Sequence, residues 1–117
     1  PHPGHCPTAF LVICQDTQLH PAVQRFQKDV GIVAQTILLA AVEKGLGGCM
    51  IGNFNPDEIQ QALDLADRFM PVLLISLGKP DEQIVLTEVG EDGVTDYYRD
   101  ENNIHYVPKR SLQDILL

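Results

Sequence analysis

The order of elements predicts an α/β or α+β fold with helices packed on a sheet. Three observations carry that prediction. Two continuous apolar runs of strand length occur, "TAFLVIC" and "VLLISL". A long apolar segment without proline lies between them. In the C-terminal third, apolar and polar residues alternate between turn signals.

The run Thr8–Cys14 contains β-branched residues and reads as a strand buried on both faces. A polar loop, "QDTQLHP", follows. A helix begins near Asp29, whose charge suits a helix N-terminus. Its residues Val30, Ile32, Val33, Ile37, Leu38, Leu39 and Val42 go almost all the way round. Such a helix is buried, either inside a larger protein or between subunits. A chain of 117 residues has difficulty burying it alone, which points to an oligomer.

The stretch "GLGGCMIG", residues 45–52, has four glycines and resembles a phosphate-cradling loop. A dinucleotide loop, however, follows a strand and opens a helix, so that free N–H groups point at the pyrophosphate. Here a helix comes first and a strand, Cys49–Ile51, comes after. Gly45 and Gly47 therefore read as a helix C-cap and a tight connection, with Lys44 near the negative end of the helix dipole. Beyond the strand, Asn55 is a good N-cap, Pro56 fits the first helical position and Glu58 has capping-box spacing. Ile59, Leu63 and Phe69 form the apolar side of this amphipathic surface helix. Asp57, Glu58, Asp64 and Asp67 form a solvated face rather than a metal or acid–base site.

Val72–Leu77 is a second buried strand, ended by Gly78 and Pro80. From Ile84 short strands alternate, with "EDG" and "DENN" as turns and hairpins expected between them. "SLQDILL" closes the chain as a short helix or tail with Ser111 as N-cap.

Size and composition indicate one domain with a modest core. The longest apolar stretch, Val30–Val42, is interrupted by Gln35 and Thr36 and is too short to cross a membrane. The start carries no signal-peptide pattern. A net charge of −8 disfavours nucleic acid and anionic membrane as partners, and leaves room for an anionic cofactor at one basic spot. Three cysteines without C-x-x-C spacing suit a reducing, cytoplasmic setting, with Cys14 and Cys49 as packing residues. In "HPGHC", His2, His5 and Cys6 read as a flexible loop in preference to a metal site, which wants four well-spaced ligands.

No triad, zinc spacing or phosphate loop is present. Ser76 and Ser111 lack the elbow context of a nucleophile. His20 and His105 read as isolated loop and strand residues, and Tyr97, Tyr98 and Tyr106 as packing residues. Two places remain. Lys109 and Arg110 stand side by side among only eight basic residues. With the N–H groups of a helix starting at Ser111 they form a phosphate site, or else a solvated basic pair. The second place is "IGNF", a strand end of the kind where α/β ligands bind, with Gly52 allowing a flat ring to approach the backbone.

Taken together, "DVGIVAQTILLAAVEKGLGGCMIGNFN", "PVLLISLGKPDE" and "YYRDENNIHYVPKRSLQDIL" resemble the FMN-dependent nitroreductase superfamily over nearly the whole chain. The resemblance implies an α+β homodimer, with a central mixed sheet flanked by helices and the central helix buried at the dimer interface. It implies FMN bound between subunits, with Ile51, Gly52 and Asn53 at the flavin ring and Lys109 and Arg110 on its phosphate. The implied activity is NAD(P)H-dependent reduction of nitroaromatics, quinones or similar small acceptors, with no side-chain acid or base named. The family's N-terminal helical segment carries an Arg-rich, Ser-containing motif for the FMN phosphate and ribityl chain. This sequence starts just before the first core strand, so it is expected to lack that motif, as a fragment or a reduced relative. The competing reading is a non-catalytic flavin- or nucleotide-binding module, or a remnant without FMN.

Overall fold

The computed structural model describes residues 6–117. The chain divides into two compact units, one ending at Pro80 and one running from Asp81 to Leu117. The first contains β1 (Ala9–Asp16), a 3-10 turn (Val23–Phe26), α1 (Gln27–Glu43), β2 (Gly47–Ile51), α2 (Pro56–Ala62) and β3 (Phe69–Gly78). The second contains β4 (Ile84–Glu88), β5 (Tyr98–Arg99), β6 (His105–Lys109) and α3 (Leu112–Ile115). This is the expected α+β mixture. No helix among the described residues is long and apolar enough to cross a membrane.

In place of one central mixed sheet there are, among the described residues, two sheets of three strands. The first has the order β1-β3-β2 and is wholly antiparallel; the mixed pairing occurs in the second, where β4 is parallel and β5 antiparallel to β6. The reason is topological. β1 and β2 run the same way and are joined through α1, but β3 inserts between them. That gives the longest strand a ladder on both edges, and Leu74, Ile75 and Ser76 are buried there. The link from β4 to β6 is long enough for a parallel crossover, so the expected hairpin forms only between β5 and β6.

β1 is not buried on both faces. Among the described residues it pairs with β3 alone, and Phe10 is 56% exposed. Between Ile13 and Cys14 the ladder skips Val72 of β3, a bulge carried by the central strand. α1 starts two residues before Asp29, and only Ala34 and Ala41 are buried. Ile32, Val33, Leu39 and Val42 are exposed within this chain. The all-round apolar pattern thus marks more surface than one chain covers.

Gly45 ends α1 as expected. Its φ is +73°, its N–H donates to the Val42 carbonyl at 2.9 Å, and the Leu46 N–H donates to the Ala41 carbonyl at 2.9 Å. Those two bonds form a Schellman motif, in which a left-handed residue lets the chain return to the last helical carbonyls. A different requirement falls on Gly48. A Cβ there would stand 2.6 Å from Leu38 Cδ2 of α1 and 2.8 Å from both Leu77 Cδ2 and the Ser76 carbonyl oxygen of β3. Gly48 therefore allows the close approach of α1 to the sheet.

The second helix is shorter than its pattern suggested. Asn55 caps it by accepting the Asp57 N–H at 3.1 Å, but Glu58 takes the Asn55 side-chain amide instead of closing a capping box on its backbone. Asp64, at φ +50°, turns the chain out of the helix. Leu63 is thereby left as the C-cap, Asp64 and Asp67 lie beyond the helical face, and Phe69 opens β3. At the other end of the chain, α3 carries the complete capping box of Ser111 and Asp114.

Candidate functional site

Ile51, Gly52 and Asn53 belong to the first unit; Lys109 and Arg110 belong to the second. Ile51 is the last ladder residue of β2, opposite Leu74, and is half-buried. Gly52 and Asn53 follow it and are exposed. Gly52 has no left-handed φ, and a Cβ added to it would meet nothing within 4 Å. Neither backbone strain nor internal packing therefore requires glycine at this position. No turn or cap hydrogen bond among the described residues takes the N–H of Gly52 or Asn53. A strand end with this open backbone admits a flat ring that a side chain would block.

In the second unit, Lys109 ends β6 opposite Glu88, and its carbonyl accepts the Val89 N–H at 3.1 Å. The side chains of Lys109 and Arg110 are exposed. Arg110 lines an open cleft of about 360 Å³ with Val89, Gly90, Glu91, Gly93 and Asp114. The helix start beside them is already engaged. Asp114 Oδ2 accepts the Ser111 O–H at 2.7 Å and its N–H at 3.1 Å, and Ser111 Oγ accepts the Asp114 N–H at 3.3 Å. These bonds, with the nearby Arg110 charge, hold the Asp114 carboxyl below its ordinary value. The capacity of this corner for an anion accordingly rests on the two cationic side chains and not on free helix N–H groups.

His105 is not an isolated strand residue. Its Nδ1 lies 3.3 Å from Glu82 Oε2, which also accepts from Arg99 Nη2, and the Tyr97 ring meets its face edge-on at 5.2 Å. Its Nε2 is buried without a hydrogen-bond partner. The Arg99 bond, above all, and the His105 contact hold the Glu82 carboxyl below its usual value. No spacing in the sequence signals this cluster. It forms because the parallel register pairs Ile84 with His105 and the antiparallel register pairs His105 with Arg99.

The remaining candidates resolve simply. Ser76 is buried and donates to the Cys49 carbonyl at 3.4 Å. Cys49 is exposed and does not pack, whereas partial burial pushes the Cys14 thiol above its ordinary value, the reverse of an activated thiolate. Tyr98 and Tyr106 stack at 5.0 Å, as packing residues do. His20 Nδ1 accepts the Ala22 N–H at 3.1 Å in the loop before α1. His2 and His5 lie outside the described residues, Cys6 is exposed, and no group that could hold a metal occurs among the described residues.

Comparison with known proteins adds three findings. Residues 3–79 match the nitroreductase family, a span that falls within the first unit. A protein of Bacillus subtilis (strain 168) named "Putative NAD(P)H nitroreductase YodC" is 39% identical over 51 residues, which are 44% of this chain and 25% of that protein. The crystal structure of the nitroreductase family protein from Streptococcus pneumoniae TIGR4 is similar over 56% of this chain and 34% of that chain, with 31% identity and a TM-score of 0.47. The chain thus spans well under half the length of either relative.

Proposed function

Because the chain belongs to the nitroreductase family, we propose that it forms part of an FMN-dependent oxidoreductase. In this reading it takes a hydride from NAD(P)H and reduces nitroaromatics, quinones or similar small acceptors. The observation that carries the reading is Gly52, a glycine at a strand end that neither backbone conformation nor packing requires. The open space beside it fits a flat ring. FMN, when bound, supplies the redox chemistry. Gly52 and Asn53 present their backbone to the ring edge beside Ile51, and the Lys109 and Arg110 side chains neutralise the phosphate. No side chain is assigned as acid or base. The three free cysteines suit a reducing, cytoplasmic setting.

The active form in this reading is a homodimer through α1. The exposed Ile32, Leu39 and Val42 support it. They are better probes of association than Ile37, which is half-buried in its own chain.

A pair of flavin titrations tests the assignment. Gly52→Val is expected to weaken FMN and riboflavin alike, since both carry the ring. The Lys109→Ala, Arg110→Ala double variant is expected to weaken FMN by about a hundredfold, because charge-assisted hydrogen bonds contribute roughly 1.5–3 kcal/mol each. Riboflavin, which has no phosphate, is expected to bind that variant unchanged. Bleaching of the bound flavin by NADH or NADPH then separates an enzyme from a binding module. A protein that takes up neither flavin overturns the reading.

A further inference from the structure

Asp92 is the only aspartate in the chain that glycine follows. The pair sits in the connection between β4 and β5, where Gly90, Glu91, Asp92, Gly93 and Val94 are all exposed. Asp92 Oδ1 accepts the Val94 N–H at 3.2 Å. That bond makes an Asx turn, and the ring it closes contains the Gly93 nitrogen. The same carboxyl folds back over the turn: a Cβ placed on Gly90 would stand 3.2 Å from Asp92 Oδ1 and 3.9 Å from its Cγ. Gly93 has a φ of +71°, and nothing lies within 4 Å of a Cβ added to it. Residue 93 thus brings no side chain of its own, and no neighbour packs where one would stand.

We infer that the Asp92–Gly93 link is a site of aspartate isomerisation, gated by opening of this turn. The Gly93 nitrogen forms a bond to Asp92 Cγ, the carboxyl hydroxyl leaves as water with the amide proton, and a five-membered succinimide closes. Water then adds to one of its two carbonyl carbons. Breaking the new Cγ–N bond restores aspartate. Breaking the original C–N bond leaves the main chain running through Cγ, an isoaspartyl link one methylene longer. Nothing is oxidised or reduced, and the mass is unchanged. One contact restrains the reaction. The Gly93 N–H donates to the Gly90 carbonyl at 3.0 Å, so the nitrogen is released only when the turn opens. Such opening is local, because a turn of exposed residues, in a unit where no described residue is buried, belongs to the low end of local stability. A main chain lengthened at residue 92 no longer fits the Gly90–Gly93 bond. Gly90 and Gly93 also line the cleft that contains Arg110, so the product changes the wall of that cleft.

Prolonged incubation of the protein at neutral pH tests this. Isoaspartate is counted by methyl transfer from S-adenosylmethionine with an isoaspartate-specific methyltransferase. It is located by digestion with a protease that cuts before aspartate and not before isoaspartate. Isoaspartate is expected to accumulate at residue 92 and at no other aspartate. Asp92→Glu carries its carboxyl one methylene further out and would have to close a six-membered ring, so it is expected to lose the signal with circular dichroism unchanged. In urea, which removes the Gly90 bond, the unaltered chain is expected to react several-fold faster than when folded. An equal or slower rate in urea overturns the gating by the turn. If no isoaspartate forms at residue 92 of the folded protein, or if it forms as fast at Asp96 or Asp100, the site itself is overturned.

Discussion

Single glycines separate three physical demands in this chain. Gly45 answers a backbone demand, since φ +73° is a conformation that side chains with a Cβ resist. Gly48 answers a packing demand. Its absent Cβ makes room for Leu38, Leu77 and the Ser76 carbonyl oxygen. Gly52 answers neither, which is why it marks a candidate binding surface. Gly48→Ala is expected to cost about 1–3 kcal/mol, because a methyl group must displace a backbone carbonyl as well as two leucines. The measurement is the urea midpoint, with Gly52→Ala as the control expected to leave it unchanged. Equal midpoints for both variants would contradict the close approach of α1 to the sheet. The Gly45 turn was legible from the helix-to-strand order. The Gly48 contact was not, since it depends on Leu38 and Leu77 from two other elements.

Among the elements, β5 is the most dependent on side chains. It contributes only Tyr98 and Arg99 to the second sheet. Glu82, ahead of β4, links Arg99 on β5 to His105 on β6. The sign of the pH effect follows from the depressed Glu82 carboxyl. A group with a lowered folded-state value binds protons less readily when folded, so its contribution is present above the unfolded glutamate value. It is lost as pH falls through the lower folded value. Glu82→Gln is therefore expected to destabilise the β4–β6 sheet near neutral pH, and the difference from the unaltered protein should shrink as pH drops below the ordinary glutamate range. The side chains are partly exposed and water screens them, so the effect is modest and best followed by amide chemical shifts of β5 and β6. A difference that stays constant with pH would remove the carboxylate from the account.

Over the molecule as a whole, burial is uneven. Among the described residues, Ala34, Ala41, Pro71, Leu74 and Ile75 form the buried apolar set, and all lie in the first unit. No described residue from Asp81 onward is buried. Local stability follows burial and hydrogen bonding. In amide hydrogen exchange, the central β3 residues Leu74, Ile75 and Ser76 are expected to be the slowest, and the β4–β6 amides distinctly faster. Comparable protection in the two units would show that the second is held by something its own packing does not reveal. The family match also falls within the first unit, where the apolar runs and helix signals were strongest in the sequence.

What the sequence by itself determined is local: strand runs around Phe10, Met50 and Leu74, the Gly45 helix stop, the Asn55 and Ser111 caps, and the open strand end at Gly52. These follow from backbone preference and short-range hydrogen bonds, which act within a few residues. What only the tertiary structure decided is long-range. β3 lies between β1 and β2, so β1 became an edge. The parallel register of β4 with β6 assembled Glu82, Arg99 and His105. A left-handed Asp64 cut α2 short and moved Phe69 into β3, although the apolar spacing ran on. Hydrophobic pattern records how much surface a segment must cover and not which neighbour covers it. For that reason α1 read as buried all round, while in this chain two alanines face the core and its leucine and isoleucine stripe remains open.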